Sequence, residues 1–286
     1  MTIGDLLDAL AEELAGPGVP PARAVARDLI AGIMGEPRFW PTAHRDDELA
    51  PAAEQEIRAA AARLRQGMPM QYAIGRAAFR HLMLSVDRRV LIPRPETELL
   101  VDMVIAATRG RGTVVDIGTG SGAIALALAA EGEYDEVIAT DLSADALDVA
   151  RANLVAIPED RRARVSFRHG NILEPVRGLK VDAVVSNPPY ISRVEAAALP
   201  TLVRDWEPGS ALFADADGMA VIDALIPQAA EVLKPGGLLA MEVDSARADR
   251  AALAVSNDGR FTDVGTRPDL TGRPRFVVAL KRRQEQ

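Results

Sequence analysis

Val114-Val115-Asp116-Ile117-Gly118-Thr119-Gly120-Ser121-Gly122 sets an apolar, β-branched run ahead of three alternating glycines, with the alanine- and leucine-rich stretch 123–130 behind them. A continuous apolar run of this length reads as a strand buried on both faces. Glycines at that spacing turn the backbone tightly and let a ligand approach without a Cβ in the way. The run after them predicts a helix whose N-terminal amides face whatever binds there. Asp141 closes the next apolar run, where a carboxylate takes both hydroxyls of a ribose. The unit therefore expects an adenosine-type ligand; glycines that only turned a strand into a helix would not need Asp141.

Outward from this unit the period keeps alternating. Strands are expected at 113–117, 136–140, 164–167, 181–186, 238–243, 261–264 and 276–280, and helices at 98–108, 123–130, 144–153, 219–233 and 246–255. That alternation specifies an α/β sheet with helices on both faces. Ahead of it, Ile3, Leu6, Leu7, Leu10 and Leu14 form one helical stripe that Gly16-Pro17-Gly18 stops. A second helix opens at Pro20-Pro21 and turns Val25, Leu29, Ile30 and Ile33 inward; a third runs from Pro51 through Ile57 and Leu64 to Gly67. Such short helices must pack on one another. Leu82, Leu84 and Val86, then Val90 and Ile92, flank Asp87-Arg88-Arg89 and suggest a hairpin turning there. The expected organisation is a helical bundle over 1–75, a hairpin linker over 76–95 and a catalytic domain over 96–286.

Composition removes several chemistries. The 286 residues hold no cysteine and three histidines (His44, His81, His169), far apart and never in a metal-type pair, so thiolate catalysis, disulfides and a zinc centre are not expected. Thirty-three basic against 41 acidic residues leave a net charge of −8, a poor design for gripping a nucleic-acid backbone. The longest unbroken apolar run, Ala123 to Ala130, falls far short of the roughly 20 residues that span a bilayer. Asp5, Glu12 and Glu13 interrupt the first apolar stripe, so no signal peptide is read. A cytoplasmic protein with no membrane attachment is expected.

Two ligands compete for the glycine loop. Gly118-x-Gly120-x-x-Ala123 fits a relaxed dinucleotide fingerprint, whereas Asp116-x-Gly118-x-Gly120-x-Gly122 resembles motif I of class I S-adenosylmethionine methyltransferases, where the acid faces the cationic methionine end of the cofactor. A carboxylate so close repels a pyrophosphate, which favours the methyl donor. A second motif agrees. The apolar run 181–186 ends in Asn187-Pro188-Pro189-Tyr190, and two prolines force the chain out of the sheet in a stiff turn at its carboxyl edge. A planar NH₂ group is a poor nucleophile because its lone pair is delocalised. The Asn187 side-chain carbonyl and the Pro188 backbone carbonyl can each accept one N–H of such a group and aim it at an electrophilic methyl, while Tyr190 offers a flat face. The turn suits the amide of glutamine and equally the exocyclic amine of adenine or guanine.

With both motifs placed, the chain resembles the HemK/PrmC family of release-factor glutamine methyltransferases along nearly its whole length. The matching stretches include Gly67-x-Pro69-x-Gln71-Tyr72-x-x-Gly75, Val90-Leu91-Ile92-Pro93-Arg94-Pro95-Glu96-Thr97-Glu98, the Asp116–Gly122 loop and Asn187–Tyr190. Glu207-Pro208, Asp217-Gly218, Pro235-Gly236-Gly237 and Asp269-Leu270-Thr271-Gly272-Arg273 continue the match. The proline-arginine-proline segment is the most family-specific of these. The resemblance implies a seven-stranded Rossmann-like methyltransferase domain behind a helical bundle that helps seat the substrate. It implies S-adenosylmethionine as cofactor and N5-methylation of the glutamine in the Gly-Gly-Gln motif of class 1 peptide release factors, by a chain expected to be monomeric. Carried over by position, Asp116, Gly118, Thr119, Gly120, Ser121, Gly122 and Asp141 hold the cofactor, with Asn171, Ile172 and Asn187 beside it. Asn187, Pro188, Pro189 and Tyr190 hold the glutamine, and Asn187, Pro188 and Tyr190 carry the catalysis.

The chain departs from the family pattern in places. Asn171 stands where an aspartate often meets the adenine amino group, and Ile172 supplies an apolar face but no aromatic ring. Asp244 replaces the glycine expected after Glu242-Val243 and adds a charge on the expected substrate path. That charge keeps open a cofactor-binding scaffold without turnover. Other readings are a glutamine of a ribosomal protein and, through base flipping, adenine or guanine of DNA or RNA. His169 is read as a turn residue, Trp40 and Trp206 as packing, and Arg161-Arg162 with Arg164, like Lys281-Arg282-Arg283, as solvated charge.

Overall fold

The structure, a computed structural model, describes residues 1–16 and 21–283. By internal contacts the chain divides into two units, Met1–Arg76 and Ala77–Gln286.

The first unit is built on helices Ile3–Glu13, Ala22–Met34 and Pro51–Arg65. Thr2 and Asp5 form a reciprocal capping box at the first N-terminus. Ile3, Leu6, Leu7 and Leu10 meet Leu29, Ile30 and Ile57 in one core, so the 3.6-residue stripes face one another as their spacing requires. Pro17, Gly18 and Pro20, expected to separate the first two helices, lie outside the described residues.

The hairpin differs from expectation. Strands β1 (Arg76–Phe79) and β2 (Leu82–Ser85) pair, turning at Arg80-His81 with Arg80 at φ 53°. Asp87–Val90 is only a local turn, in which the Val90 amide donates to the Asp87 carbonyl at 3.1 Å and the Arg89 amide to the Asp87 carboxylate at 3.0 Å. Leu82, Leu84, Val86, Val90 and Ile92 are all buried, as the alternation indicated. Burial alone does not choose a pairing partner, and Pro93 and Pro95 have no N–H to give a ladder.

The second unit carries a seven-stranded sheet of β3 (Thr113–Ile117), β4 (Glu136–Asp141), β5 (Val165–His169), β6 (Val181–Ser186), β7 (Leu233–Glu242), β8 (Phe261–Pro268) and β9 (Pro274–Lys281). Its order is β5-β4-β3-β6-β7-β9-β8. The first five are parallel and β9 is antiparallel to both neighbours. This is the α/β architecture the alternation predicts. β7 begins five residues early because Pro235-Gly236-Gly237 loops out within it, Val181 pairing with Leu233 and Ala183 with Leu238. Helix Ala123–Glu131 is buried from Ala123 to Ala129 and apolar all round, as an element wholly inside a core must be. Among the described residues no helix is long and apolar enough to cross a membrane.

The strand order sets the site. The chain leaves β3 to build β4 and β5 on one side, then returns to lay β6 on the other, so the loops after β3 and β6 part at a switch point where open α/β sheets bind ligands.

Candidate active site

Register aligns the two motifs. Ile117 is opposite Ser186, and Ser186 is opposite Met241, so Gly118, Asn187 and Glu242 come one residue later on three adjacent strands. The Ser186 hydroxyl donates to the Ile117 carbonyl at 2.9 Å and ties the two strand ends. A small cavity of about 50 Å³ lies between them, lined by Gly118 and Asn187 together with Phe79, Pro93, Arg94 and Thr97. That volume takes the reacting end of a ligand, not a whole nucleoside.

The glycine loop is held from within. The amides of Gly118 and Thr119 donate to the Thr140 carbonyl at 2.9 and 3.0 Å, and the Gly120 amide donates to Asp141 Oδ2 at 2.9 Å. The amide of Ala125, in the first turn of the helix, donates to Asp116 Oδ2 at 3.2 Å. Of the first-turn amides of helix Ala123–Glu131, that of Ala125 is thus engaged within the protein, while Ala123 and Ile124 line the cavity. Space remains above the loop. A Cβ at Gly118 or Gly120 would meet nothing within 4 Å, so the face is open, and both residues have positive φ.

Asp116 is fully buried. Its Oδ2 also accepts the Thr119 hydroxyl at 2.6 Å, while Oδ1 has no partner. Burial pushes its carboxyl up to about 7. A buried carboxylate oxygen without a partner, two residues ahead of the open face at Gly118, fits a cationic group. Asp141 is half-buried and also accepts the Ser143 amide at 2.8 Å; burial raises its carboxyl too. Ser121, buried, gives its carbonyl to Asn153 Nδ2 at 2.9 Å. Asn153 Nδ2 also reaches the Ser85 carbonyl at 3.0 Å, and its Oδ1 accepts the Ser85 amide at 2.7 Å. Asn153 thus joins β2 to the glycine loop, a role its place at a helix end did not signal.

Asn171 and Ile172 follow β5, whose last residue, His169, is opposite Asp141. The Thr140 hydroxyl pins the Ile172 carbonyl at 3.1 Å and Ile172 is at φ 50°, leaving its side chain half-buried and that of Asn171 exposed. His169 is exposed, its Nε2 2.9 Å from the Leu142 carbonyl.

In the Asn187–Tyr190 turn Pro188 is buried and the other three residues are half-buried. Asn187 Nδ2 donates to Thr97 Oγ1 at 3.2 Å; its Oδ1 and the Pro188 carbonyl take no hydrogen bond from a described residue. Burial and the nearby Glu242 push the Tyr190 phenol up to about 12, so it stays neutral. Beyond it, Ile191 bridges to Phe213. Gly218, at φ 85°, passes so close that a Cβ there would sit 2.0 Å from the Tyr190 carbonyl and 2.4 Å from Arg247 Nε.

Residues outside the expected set complete the site. Arg94 Nη2 donates to both oxygens of Glu207 at 2.7 and 2.8 Å, and burial raises the Glu207 carboxyl against the pull of Arg94. Arg88 lies over the Trp206 ring at 4.8 Å. Thr97 Oγ1 donates to Glu242 Oε2 at 2.7 Å, both side chains buried. The sequence signals were faint: an acid closing an apolar strand, and a threonine heading a helix.

Asp244 does not stand loose on a substrate path. Its Oδ1 accepts the amides of Ala246 and Arg247 at 2.7 and 3.1 Å, and its Oδ2 pairs with the Arg247 guanidinium. Arg247 is held further by Glu195 at 2.5 Å and by the Asp217 carbonyl at 2.7 Å. The charge is neutralised in place, which removes the reason for reading an inactive scaffold.

Comparison with known proteins gives the family and the fold. Residues 5–75 match the PrmC N-terminal domain family and residues 95–205 the Methyltransferase small domain family. The chain is 41% identical over 278 residues to the release factor glutamine methyltransferase of Mycolicibacterium smegmatis, covering 96% of each. It is 38% identical to the protein of that name from Moorella thermoacetica, covering 99% of this chain and 100% of the other. Among solved structures, a methyltransferase from Pyrococcus furiosus superposes with a TM-score of 0.53 at 18% identity, covering 72% of this chain and 92% of that one. A ribosomal protein L11 methylase from Lactobacillus delbrueckii gives 0.50 at 20% identity, over 73% and 99%. These two speak for the fold alone.

Proposed function

The chain belongs to the release factor glutamine methyltransferase family, and from that premise we propose that it methylates the side-chain nitrogen of the glutamine in the Gly-Gly-Gln motif of a class 1 peptide release factor. The observation that carries this reading is the pairing of Ile117 with Ser186, which sets the Asn187 turn beside the glycine loop. The class I methyltransferase fold implies S-adenosylmethionine, and the site fits it. The orphaned Asp116 Oδ1 suits its cationic methionine end, the open faces of Gly118 and Gly120 admit it, and Asp141 lies at hand for the ribose. Ile172 and Asn171 flank the adenine side.

When bound, the cofactor supplies a methyl group made electrophilic by its sulfonium. Asn187 Oδ1 and the Pro188 carbonyl each accept one N–H of the glutamine amide, which fixes its plane and favours electron density on nitrogen. Tyr190, a neutral phenol, covers one face. Transfer would form the N–C bond as the methyl–sulfur bond breaks, sulfur keeping that electron pair as a neutral thioether; the nitrogen, left cationic, would lose its surplus proton to water, so no protein base is required. We assign to residues 1–75 a part in seating the release factor.

The test is transfer of label from methyl-labelled S-adenosylmethionine to a purified release factor, beside a copy with its Gly-Gly-Gln glutamine changed to alanine. Label on the first alone supports the reading; label on both, or on rRNA or duplex DNA instead, overturns it.

A further inference from the structure

A hydroxyl has one proton, and where it goes decides which way Asn187 faces. Thr97 Oγ1 is 2.7 Å from Glu242 Oε2 and 3.2 Å from Asn187 Nδ2. A carboxylate can only accept, so the Thr97 proton points to Glu242 and Thr97 can only accept from Asn187. The nitrogen of the Asn187 amide must then face Thr97 and the oxygen must face away. We infer that Thr97 and Glu242 are positioning residues, a relay that keeps Asn187 Oδ1 turned to the acceptor amide. The inference rests on the glutamine-methylating reading of the Asn187–Tyr190 turn and deepens it.

The relay is needed because asparagine is nearly symmetric. Its terminal torsion is broad and two-fold, so nothing in its shape separates the productive amide from one turned by half a revolution. The turned amide presents NH₂ to the NH₂ of the substrate, donor against donor. Thr97 is 4% exposed and Glu242 1%, so the orientation is set by these two groups. Burial pushes the Glu242 carboxyl up to about 7. Arg275 on β9 and Arg94 favour its charged form, Glu96 opposes it, and the Tyr190 phenol lies within its field. Protonated Glu242 can itself donate to Thr97, freeing the threonine proton to seek Asn187 Oδ1 and turn the amide round. The device therefore loses its bias on the acid side of neutrality.

The test uses the full-length protein, a purified release factor and labelled S-adenosylmethionine. Thr97→Val, which keeps shape and removes the hydroxyl, is expected to lower kcat by about 10–100-fold, with cofactor Kd and release-factor KM within about threefold of wild type. Thr97→Ser keeps the hydroxyl and should recover most of that loss. Wild-type kcat should fall below about pH 7, and Glu242→Gln, which cannot ionise, should flatten that limb. Thr97→Val turning over within threefold of wild type, Thr97→Ser as slow as Thr97→Val, or an unchanged acid limb in Glu242→Gln each overturns the relay. Should Thr97→Val not fold, by circular dichroism and cofactor binding, the pH profiles of wild type and Glu242→Gln decide alone. A wild-type protein that labels no release factor overturns the parent reading and the relay with it; an active wild type matched by its variants overturns the relay only.

Discussion

Thr119 donates its hydroxyl to Asp116 Oδ2 across 2.6 Å and leaves Oδ1 of the same buried carboxylate without a partner. The half-satisfied acid sits at about 7, so a cation arriving at Oδ1 must drive off a proton whenever the pH is below that. Cofactor binding is expected to tighten by up to about tenfold per pH unit below 7 and to level off above it. Titration calorimetry at pH 6 in two buffers of different ionisation enthalpy should show close to one proton released. Asp116→Asn should abolish both effects and weaken binding by about 10–100-fold.

The same burial acts on folding. Asp116 and Glu242 are raised to about 7 from ordinary values of 3.8 and 4.5, so across that interval the folded protein holds protons that the unfolded chain has released. Their contribution to stability falls as pH climbs through the window. Relative to wild type, Asp116→Asn should therefore gain stability between pH 4 and 8 in urea unfolding. A difference that stays constant, or moves the other way, contradicts the raised carboxyl.

Asn187→Ala removes one oriented acceptor and should cut turnover by about 10²–10³-fold while leaving cofactor affinity nearly intact. Single-turnover rates with equilibrium binding on the same preparation separate the two. Turnover within threefold of wild type would remove Asn187 from its role.

Gly218→Ala drives a Cβ into the Tyr190 carbonyl at 2.0 Å from a backbone at φ 85°. Both faults point to a loss of at least about 2 kcal/mol, read as a fall in the denaturation midpoint. Turnover should drop more than cofactor binding, because the displaced carbonyl belongs to the substrate turn.

Asn153→Ala deletes three hydrogen bonds that join β2 to the loop at Ser121. Removing the acceptor of the Ser85 amide, in an exposed residue that water can reach, should cost about 1 kcal/mol. Weaker cofactor binding should accompany it, since the carbonyl of Ser121 loses its tether.

The inner strands were legible because β3, β4, β6 and the second half of β7 are apolar runs buried on both faces; the edge strands β5 and β8 are only half-buried and were legible through the alternation around them. The glycine loop and the proline turn were legible as motifs, and their nearness needed only the neighbouring of β3 and β6. Pairings far apart in sequence were not. Thr97 meets Glu242 across 145 positions and Asn153 meets Ser85 across 68, and no local pattern carries such a distance. The hairpin misled for a related reason: alternation reports which residues are buried, and it is silent on which strand they lie against. Asp244 was read by its charge alone, before Arg247 could be seen beside it.

The in-register strand ends also shape how such a chain can change. Inserting one residue into β3 or β6 would turn every following side chain to the opposite face and carry the turn away from the loop, so these two strands are closed to length variation. Residues 191–217, built of short helices, carry no strand register; they are held at single points, the Ile191–Phe213 bridge and the partners Glu195, Glu207 and Asp217. New acceptor proteins are best sought by grafting there, with the methyl-transferring edge inherited whole.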